Sequence, residues 1–387
     1  MFTNNIDFKN FSIKSKTVKI RNLLKKLLNE NNEILDSLKM NYKDSFTKKK
    51  ILQLKKFSEI LIIGMGGSIL GSRSIYSFLR HKIKKNFQFI DDFSFIKLSK
   101  KNKKKKLNLI ISKSGNTLET ISNLNIIIKG KEKNIFITEN KHSYLTNLAQ
   151  KLKSEIIYHN NFIGGRYSVL SEVGMLPANL MGLNENRFRR FNQLIKNQRF
   201  VNSLVQNVAN TLFLTKKKKL NSIILNYDDN SSDLFLWYQQ LIAESLGKKS
   251  KGILPVVSKM PKDNHSLMQL YLDGPKNNFY TFFFAREAQS NKIINNNLLR
   301  THFFLKNKSL EEIKYAQFSA TEKVFKKKNI PFRTFLIKKR NEETLGELFV
   351  FFILETILLA RAMKINPYDQ PAVELIKSET KKFLVKT

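Results

Sequence analysis

Ser58 to Gly71 reads SEILIIGMGGSILG. Four consecutive aliphatic residues (Ile60 to Ile63) leave no polar face, so the run predicts a strand buried on both sides of a parallel sheet. Glycines at 64, 66 and 67 end it, and helical sequence follows Ser68. The same grammar recurs. Leu107–Ile111 (LNLII) runs into Ser112–Thr117 and another helix, and Asn134–Thr138 (NIFIT) is a third apolar run. A second series contains Ser222–Asn226, a helix over 232–246, Phe279–Phe284, a helix near 310–326 and Phe332–Ile337. Apolar runs alternating with helices predict an α/β fold with parallel sheets covered by helices on both faces. Upstream, Ile20, Leu23, Leu24, Leu27 and Leu28 have amphipathic spacing and predict a helical N-terminal arm. The expected division is an arm over 1–45, α/β domains over 46–190 and 191–340, and C-terminal helices over 341–387.

A chain of 387 residues suits two to four domains at about 100–200 residues each. Its net charge of +38 raises the possibility of a nucleic-acid binder. The lysine runs at 101–106, 216–219, 248–251 and 325–328 form no tail, however, and lack the interleaved aromatics that stack bases. The accompanying excess of Asn, Ile and Phe reads as compositional drift, and no specific nucleic-acid partner is expected. With no cysteine, thiolate nucleophiles, thiolate metal sites and disulfides are excluded. The five histidines are dispersed, with no HExxH pair, so no metal site is expected. The most apolar stretch, Leu348 to Ala360, is too short to span a bilayer and contains Glu355, so it reads as a buried helix. No targeting or membrane segment is expected, and the protein is expected to be cytoplasmic.

Six segments could carry chemistry. Gly64-Met65-Gly66-Gly67-Ser68 lets backbone N–H groups converge at a helix start, which suits a phosphate or a hydroxyl but equally a tight turn. It is neither the dinucleotide fingerprint, since Ile69 stands where the third glycine belongs, nor a Walker loop. Ser112-Lys113-Ser114-Gly115-Asn116-Thr117 places hydroxyls at the end of the next strand, where open α/β sheets bind ligands. Gly164-Gly165-Arg166 pairs close backbone approach with a permanent cation suited to an oxyanion. On the 232–246 helix, Gln240 and Glu244 are four apart and share one face. His265, amid Asp263, Asn264 and Ser266, is a titratable acid/base candidate. Lys377 follows Asn366-Pro367-Tyr368-Asp369-Gln370-Pro371 on a helix.

Singly these signals are weak, but their order and identity resemble one family. GMGGSILG, SKSGNTLET, GGRYSVLSEVGMLP, QQLIAESLGK, DNHSLMQLYLDGP and NPYDQPAVELIK are similar to segments of the phosphoglucose isomerase family in its shorter bacterial form. The resemblance implies two sugar-isomerase (SIS) domains with flavodoxin-like parallel sheets and a homodimer whose active site is shared between subunits. It implies a sugar phosphate substrate, no cofactor and no metal. By motif, Ser112, Lys113, Ser114 and Thr117 would hold the phosphate, and Gly67 and Ser68 would contact the sugar. Glu244 would move a proton between C1 and C2 through a cis-enediol(ate), and Arg166 would stabilise the charge that develops. His265 and Lys377 would open the sugar ring, with His265 coming from the neighbouring subunit and Glu119 a candidate second partner for it. Gln240 and Gln370 would orient substrate or base.

This sequence departs from the family by placing Asn264, where glutamine is usual, immediately before the histidine, and by ending ten residues after Lys377 without the long insertions of larger members. The expected reaction is the reversible isomerisation of glucose 6-phosphate to fructose 6-phosphate. A dual phosphoglucose/phosphomannose isomerase and a non-catalytic phosphosugar-binding SIS protein are the alternatives.

Overall fold

The computed structural model describes residues 3–93, 106–128, 132–287, 290–295 and 298–386; of the lysine run at 101–106 only Lys106 lies among them. Among these residues ten strands form two sheets: β1 (Ile6–Lys9), β2 (Glu59–Gly64), β3 (Asn86–Ile90), β4 (Lys106–Ile111), β5 (Lys133–Glu139), β6 (Glu155–His159), β7 (Asn221–Asn226), β8 (Leu254–Lys259), β9 (Asn278–Ala285) and β10 (Phe332–Ile337).

The first sheet has the order β3-β2-β4-β5-β6, parallel throughout. Numbered within the domain this is 2-1-3-4-5, the flavodoxin winding, so the chain reverses direction at β2 and β4. The loops after these two strands therefore diverge and leave a crevice, and both carry a glycine-bearing motif. The second sheet, β1-β10-β9-β7-β8, repeats the winding with one strand fewer and gains β1 as an antiparallel edge. The mixed α/β class with two parallel sheets is the one expected.

The N-terminal arm differs in part from its expected helical form. It contains the helices Val18–Leu28 and Glu33–Ser37, but opens with β1, in register Ile6↔Ile337 to Lys9↔Thr334. Ile6 and Phe8 face the core while Asp7 and Lys9 face outward, a period of two over only four residues. So short an alternation carries little signal beside the leucine-rich helix that follows it.

Between the domains lies the helix Glu342–Ala362, in which almost every residue is buried. An all-round apolar helix must be surrounded, and this one packs on the helices Gln198–Lys216, Ser232–Leu246 and Val18–Leu28. It carries the buried Glu355, which forms an ion pair with the equally buried Arg333 of β10. Arg333 also donates to Thr281 on β9 (2.9 Å), Asn207 (2.9 Å) and the Tyr238 hydroxyl (3.1 Å). Asn207 and Tyr238 in turn donate to Glu355 at 2.6 and 3.2 Å. This network ties the second sheet, the central helix and the Ser232–Leu246 helix together, and so fixes the helix on which Glu244 stands.

Removing one member of such a pair leaves a buried charge uncompensated. Glu355→Gln is expected to destabilise the fold by about 3–5 kcal/mol, read as a lower urea midpoint.

Candidate active site

Three segments meet where the first sheet's crevice faces the second domain. After β2, Met65 enters a tight turn over Gly66–Ser68, with Gly66 in the left-handed region (φ +51°). After β6, a short helical turn over Gly165–Leu170 presents Arg166. The two turns touch backbone to backbone: a Cβ on Gly67 would lie 2.1 Å from the carbonyl carbon of Gly165 and 2.4 Å from the nitrogen of Arg166. Ser168 locks the second turn by donating to Gly165 O at 2.7 Å.

The second domain contributes the C-terminal end of the Ser232–Leu246 helix. Arg166, only 2 % exposed, donates from Nε to Ser245 Oγ (2.9 Å) and from Nη1 to Glu244 Oε2 (3.1 Å) and Gln370 Oε1 (2.7 Å). Its Nη2 donates to the carbonyls of Pro367 (2.6 Å) and Asp369 (3.1 Å). All five N–H bonds thus have an acceptor, as a buried guanidinium requires. The other oxygen of Glu244 accepts from Gln240 Nε2 at 2.8 Å, the i,i+4 contact expected on one helical face. Gln240 Oε1 is buried and has no hydrogen-bond partner among the described residues.

The loop before the last helix is clamped as well. Lys248 Nζ donates to Asp369 O (2.6 Å), Asp369 Oδ1 (2.7 Å) and Asn366 O. The Lys248 ammonium holds the Asp369 carboxyl below its ordinary value. Tyr167 donates to Pro367 O (3.1 Å) and therefore accepts from the Ser245 hydroxyl (2.8 Å); burial pushes its own hydroxyl up to about 12, so it stays a neutral donor. Ser245, Tyr167, Lys248 and Asp369 fell inside segments singled out by sequence, but no spacing rule marks them as the packing that holds Arg166.

The Ser112–Thr117 loop follows β4, the strand beside β2. Gly115 takes the left-handed conformation (φ +67°), and a Cβ there would lie 2.2 Å from Ser143 Oγ. Ser112 and Thr117 hydroxyls are 2.9 Å apart, and Ser114 Oγ accepts from the Asn116 N–H at 3.2 Å. Lys113 reaches away along the loop, 3.2 Å from Glu139 and 2.8 Å from the carbonyl of Asn161. Ser68 is half-buried at the end of the glycine turn.

Two expected site residues stand apart from this cluster. His265 lies exposed on a turn beyond β8, and among the described residues its side chain forms no hydrogen bond or ion pair. Burial works against ionisation of Asp263 beneath it. Hydrogen bonds from Ser258 (2.8 Å), Ser266 (2.9 Å) and the Lys259 N–H (2.7 Å) nevertheless hold that carboxyl below its ordinary value. Lys377 sits on the exposed helix Val373–Lys386, 2.6 Å from Glu374. Glu119 is half-buried in the first turn of the helix after Thr117. Among the described residues, no three His, Asp or Glu side chains are grouped to hold a metal ion, and no helix is long and apolar enough to cross a membrane.

A family model for phosphoglucose isomerase matches residues 13–386. A glucose-6-phosphate isomerase of Methanocaldococcus jannaschii is 32 % identical over 377 residues, which cover 91 % of this chain and 90 % of that protein. One of Campylobacter jejuni is 31 % identical over 356 residues, 87 % of each. The crystal structure of a glucose-6-phosphate isomerase from Chlamydia trachomatis superposes with a TM-score of 0.71 at 17 % identity, covering 91 % of this chain and 77 % of that one.

Because Gly67 has no room for a side chain, Gly67→Ala must push the 64–68 and 164–168 turns apart. The expected result is a loss of about 10²-fold in turnover of any substrate bound between them, with the far-ultraviolet circular dichroism unchanged.

Proposed function

The chain belongs to the phosphoglucose isomerase family, and we propose that it interconverts glucose 6-phosphate and fructose 6-phosphate. The observation that carries this is the Arg166–Glu244 contact at 3.1 Å, with Gln240 and Gln370 each bonded to one member. A carboxylate and a fixed guanidinium in contact can serve neighbouring atoms of one substrate. Glu244 takes the C2 proton of the open-chain aldose. The C–H electron pair becomes the C1–C2 double bond as the carbonyl pair moves onto O1. Arg166, already aligned, meets the charge that develops on the enediolate oxygens. The hydroxyl proton passes from O2 to O1, and returning the first proton to C1 then leaves the carbonyl at C2, so atoms and electrons balance without a co-reactant. Gly67 and Ser68 face the sugar, and the Ser112, Ser114 and Thr117 hydroxyls, with Lys113 in the same loop, take the phosphate.

Ring opening moves the O1 proton to the ring oxygen as the C1–O5 bond breaks. We assign it to His265 and Lys377. Among the described residues neither forms a hydrogen bond or ion pair with Glu244, which supports a homodimer in which one subunit's His265 completes the other's site. The Val373–Lys386 helix supports it too: Leu375 and Val385 are 74 % and 77 % exposed, an apolar surface that a second copy would cover. A sugar phosphate carries charge that a bilayer excludes, so the proposed location is the cytoplasm.

Proton NMR in heavy water tests the reaction, with chelator present. Wild type is expected to form fructose 6-phosphate, with deuterium entering C1 of the ketose and C2 of the recovered aldose. Glu244→Gln is expected to lose about 10²- to 10⁴-fold. No conversion of glucose 6-phosphate, or conversion only of mannose 6-phosphate, would overturn the assignment.

Mixing tests the shared site. Glu244→Gln and His265→Ala homodimers are each expected to be inactive. Unfolded together and reassembled at random, they should recover about a quarter of wild-type activity, since half the dimers are mixed and each has one intact site. No recovery would place His265 in its own subunit's site.

A further inference from the structure

His159 and Glu172 form a buried pair that the isomerase chemistry does not use, at the two ends of the segment that carries Arg166. They are 3 % and 1 % exposed, with Nδ1 2.5 Å from Glu172 Oε1. The other ring nitrogen lies 2.9 Å from the carbonyl of Ile163, inside the same loop. Glu172 Oε1 also accepts from the Asn160 N–H at 3.0 Å, and Oε2 from the Tyr42 hydroxyl at 3.4 Å. Both ring nitrogens therefore face acceptors. The carbonyl can only accept, so Nε2 carries a hydrogen, and an oxygen already accepting from Asn160 is best matched by a second hydrogen on Nδ1. Burial opposes charge on Glu172, yet the His159 hydrogen bond and charge and the backbone N–H groups hold its carboxyl below the ordinary range. The surrounding charged groups are Asp44, paired with Arg189 at 2.7 Å, and Glu33, which accepts from the Asn160 side chain at 3.0 Å.

We propose that His159 and Glu172 are positioning residues: an imidazolium–carboxylate latch that closes the 160–171 segment and thereby aims Arg166 at the substrate. β6 ends at His159, and the helix Glu172–Leu180 begins at Glu172. The backbone between them is thus held at its base by one ion pair and pinned midway through Ile163. Gly164 and Gly165 alone would leave that turn loose. The phosphate loop at 112–117 stands on a different strand and meets this segment through Lys113, 2.8 Å from the carbonyl of Asn161, so opening the latch displaces Arg166 while leaving the Ser112, Ser114 and Thr117 hydroxyls in place.

The proposal rests on the isomerase reading, and two readouts separate them. In His159→Gln and Glu172→Gln, hydrogen exchange of the 160–168 amides should accelerate at least tenfold. Their kcat should fall about 10- to 100-fold with KM within threefold, because the lost contact acts on the transition state. The double variant should be no slower than the worse single one, as for a coupled pair. Unchanged exchange would overturn the latch, and faster exchange with wild-type kcat would overturn its positioning role. Wild type without turnover would overturn the isomerase reading alone, since exchange still decides the latch. Should the variants not fold, nitrogen NMR of wild type at neutral pH decides: both His159 nitrogens protonated supports the latch, and a neutral ring overturns it.

Discussion

A guanidinium taken out of water must have every N–H satisfied, and the structure around Arg166 is organised by that requirement. Arg166 belongs to the first domain, but its acceptors do not. Glu244 and Ser245 come from a helix of the second domain, while Gln370 and the carbonyls of Pro367 and Asp369 come from the C-terminal loop. No one of these segments could bury Arg166 alone. The charge therefore couples the docking of two domains and a C-terminal segment to the assembly of the Arg166–Glu244 pair. Lys248 serves the same junction with a second positive charge, holding the loop whose carbonyls Arg166 needs.

Two backbone constraints set how closely that junction closes. Gly67 and Gly165 are in contact because neither has a side chain in the way, and Gly66 turns the chain beneath Gln240. A second constraint acts from behind. The Arg333–Glu355 network fixes the Ser232–Leu246 helix through Tyr238, six residues before Glu244. One half-buried ion pair thus sits in the site and a fully buried one in its support. They differ in what they can release: Arg333 and Glu355 are enclosed, whereas Glu244 and Gln370 reach solvent and can exchange their Arg166 contacts for substrate oxygens.

Much of this was legible in the sequence, because parallel sheets bury both faces. Ile60–Ile63 is a continuous apolar run, Leu107–Ile111 and Phe279–Phe284 are each interrupted by one polar residue (Asn108 and Thr281), and each lies in a strand. The order of the glycine-bearing motifs then located the crevice. What escaped follows local sequence poorly. β1 has four residues of alternation, and the edge strands β3 and β8 are short and part-polar. Ser245 and Tyr167 act through a partner some 78 residues away in sequence, a relation that only folding creates. His159 and Glu172 have the same difficulty: thirteen residues apart, they match no helical or strand period.

The surplus of lysine belongs to a different length scale from these buried pairs. Screening confines a surface charge to about 8 Å at physiological salt, so most of the +38 cannot be felt in the crevice. Lysines on and beside these loops are paired rather than free: Lys113 and Lys141 share Glu139, and Lys248 pairs with Asp369. On the proposed placement of the substrate, selectivity for an anion comes from oriented N–H and hydroxyl donors at the strand ends, which screening does not weaken at contact distance, and from the permanent charge of Arg166. The general positive field adds to the rate of encounter with an anionic sugar, and contributes little once the sugar is bound.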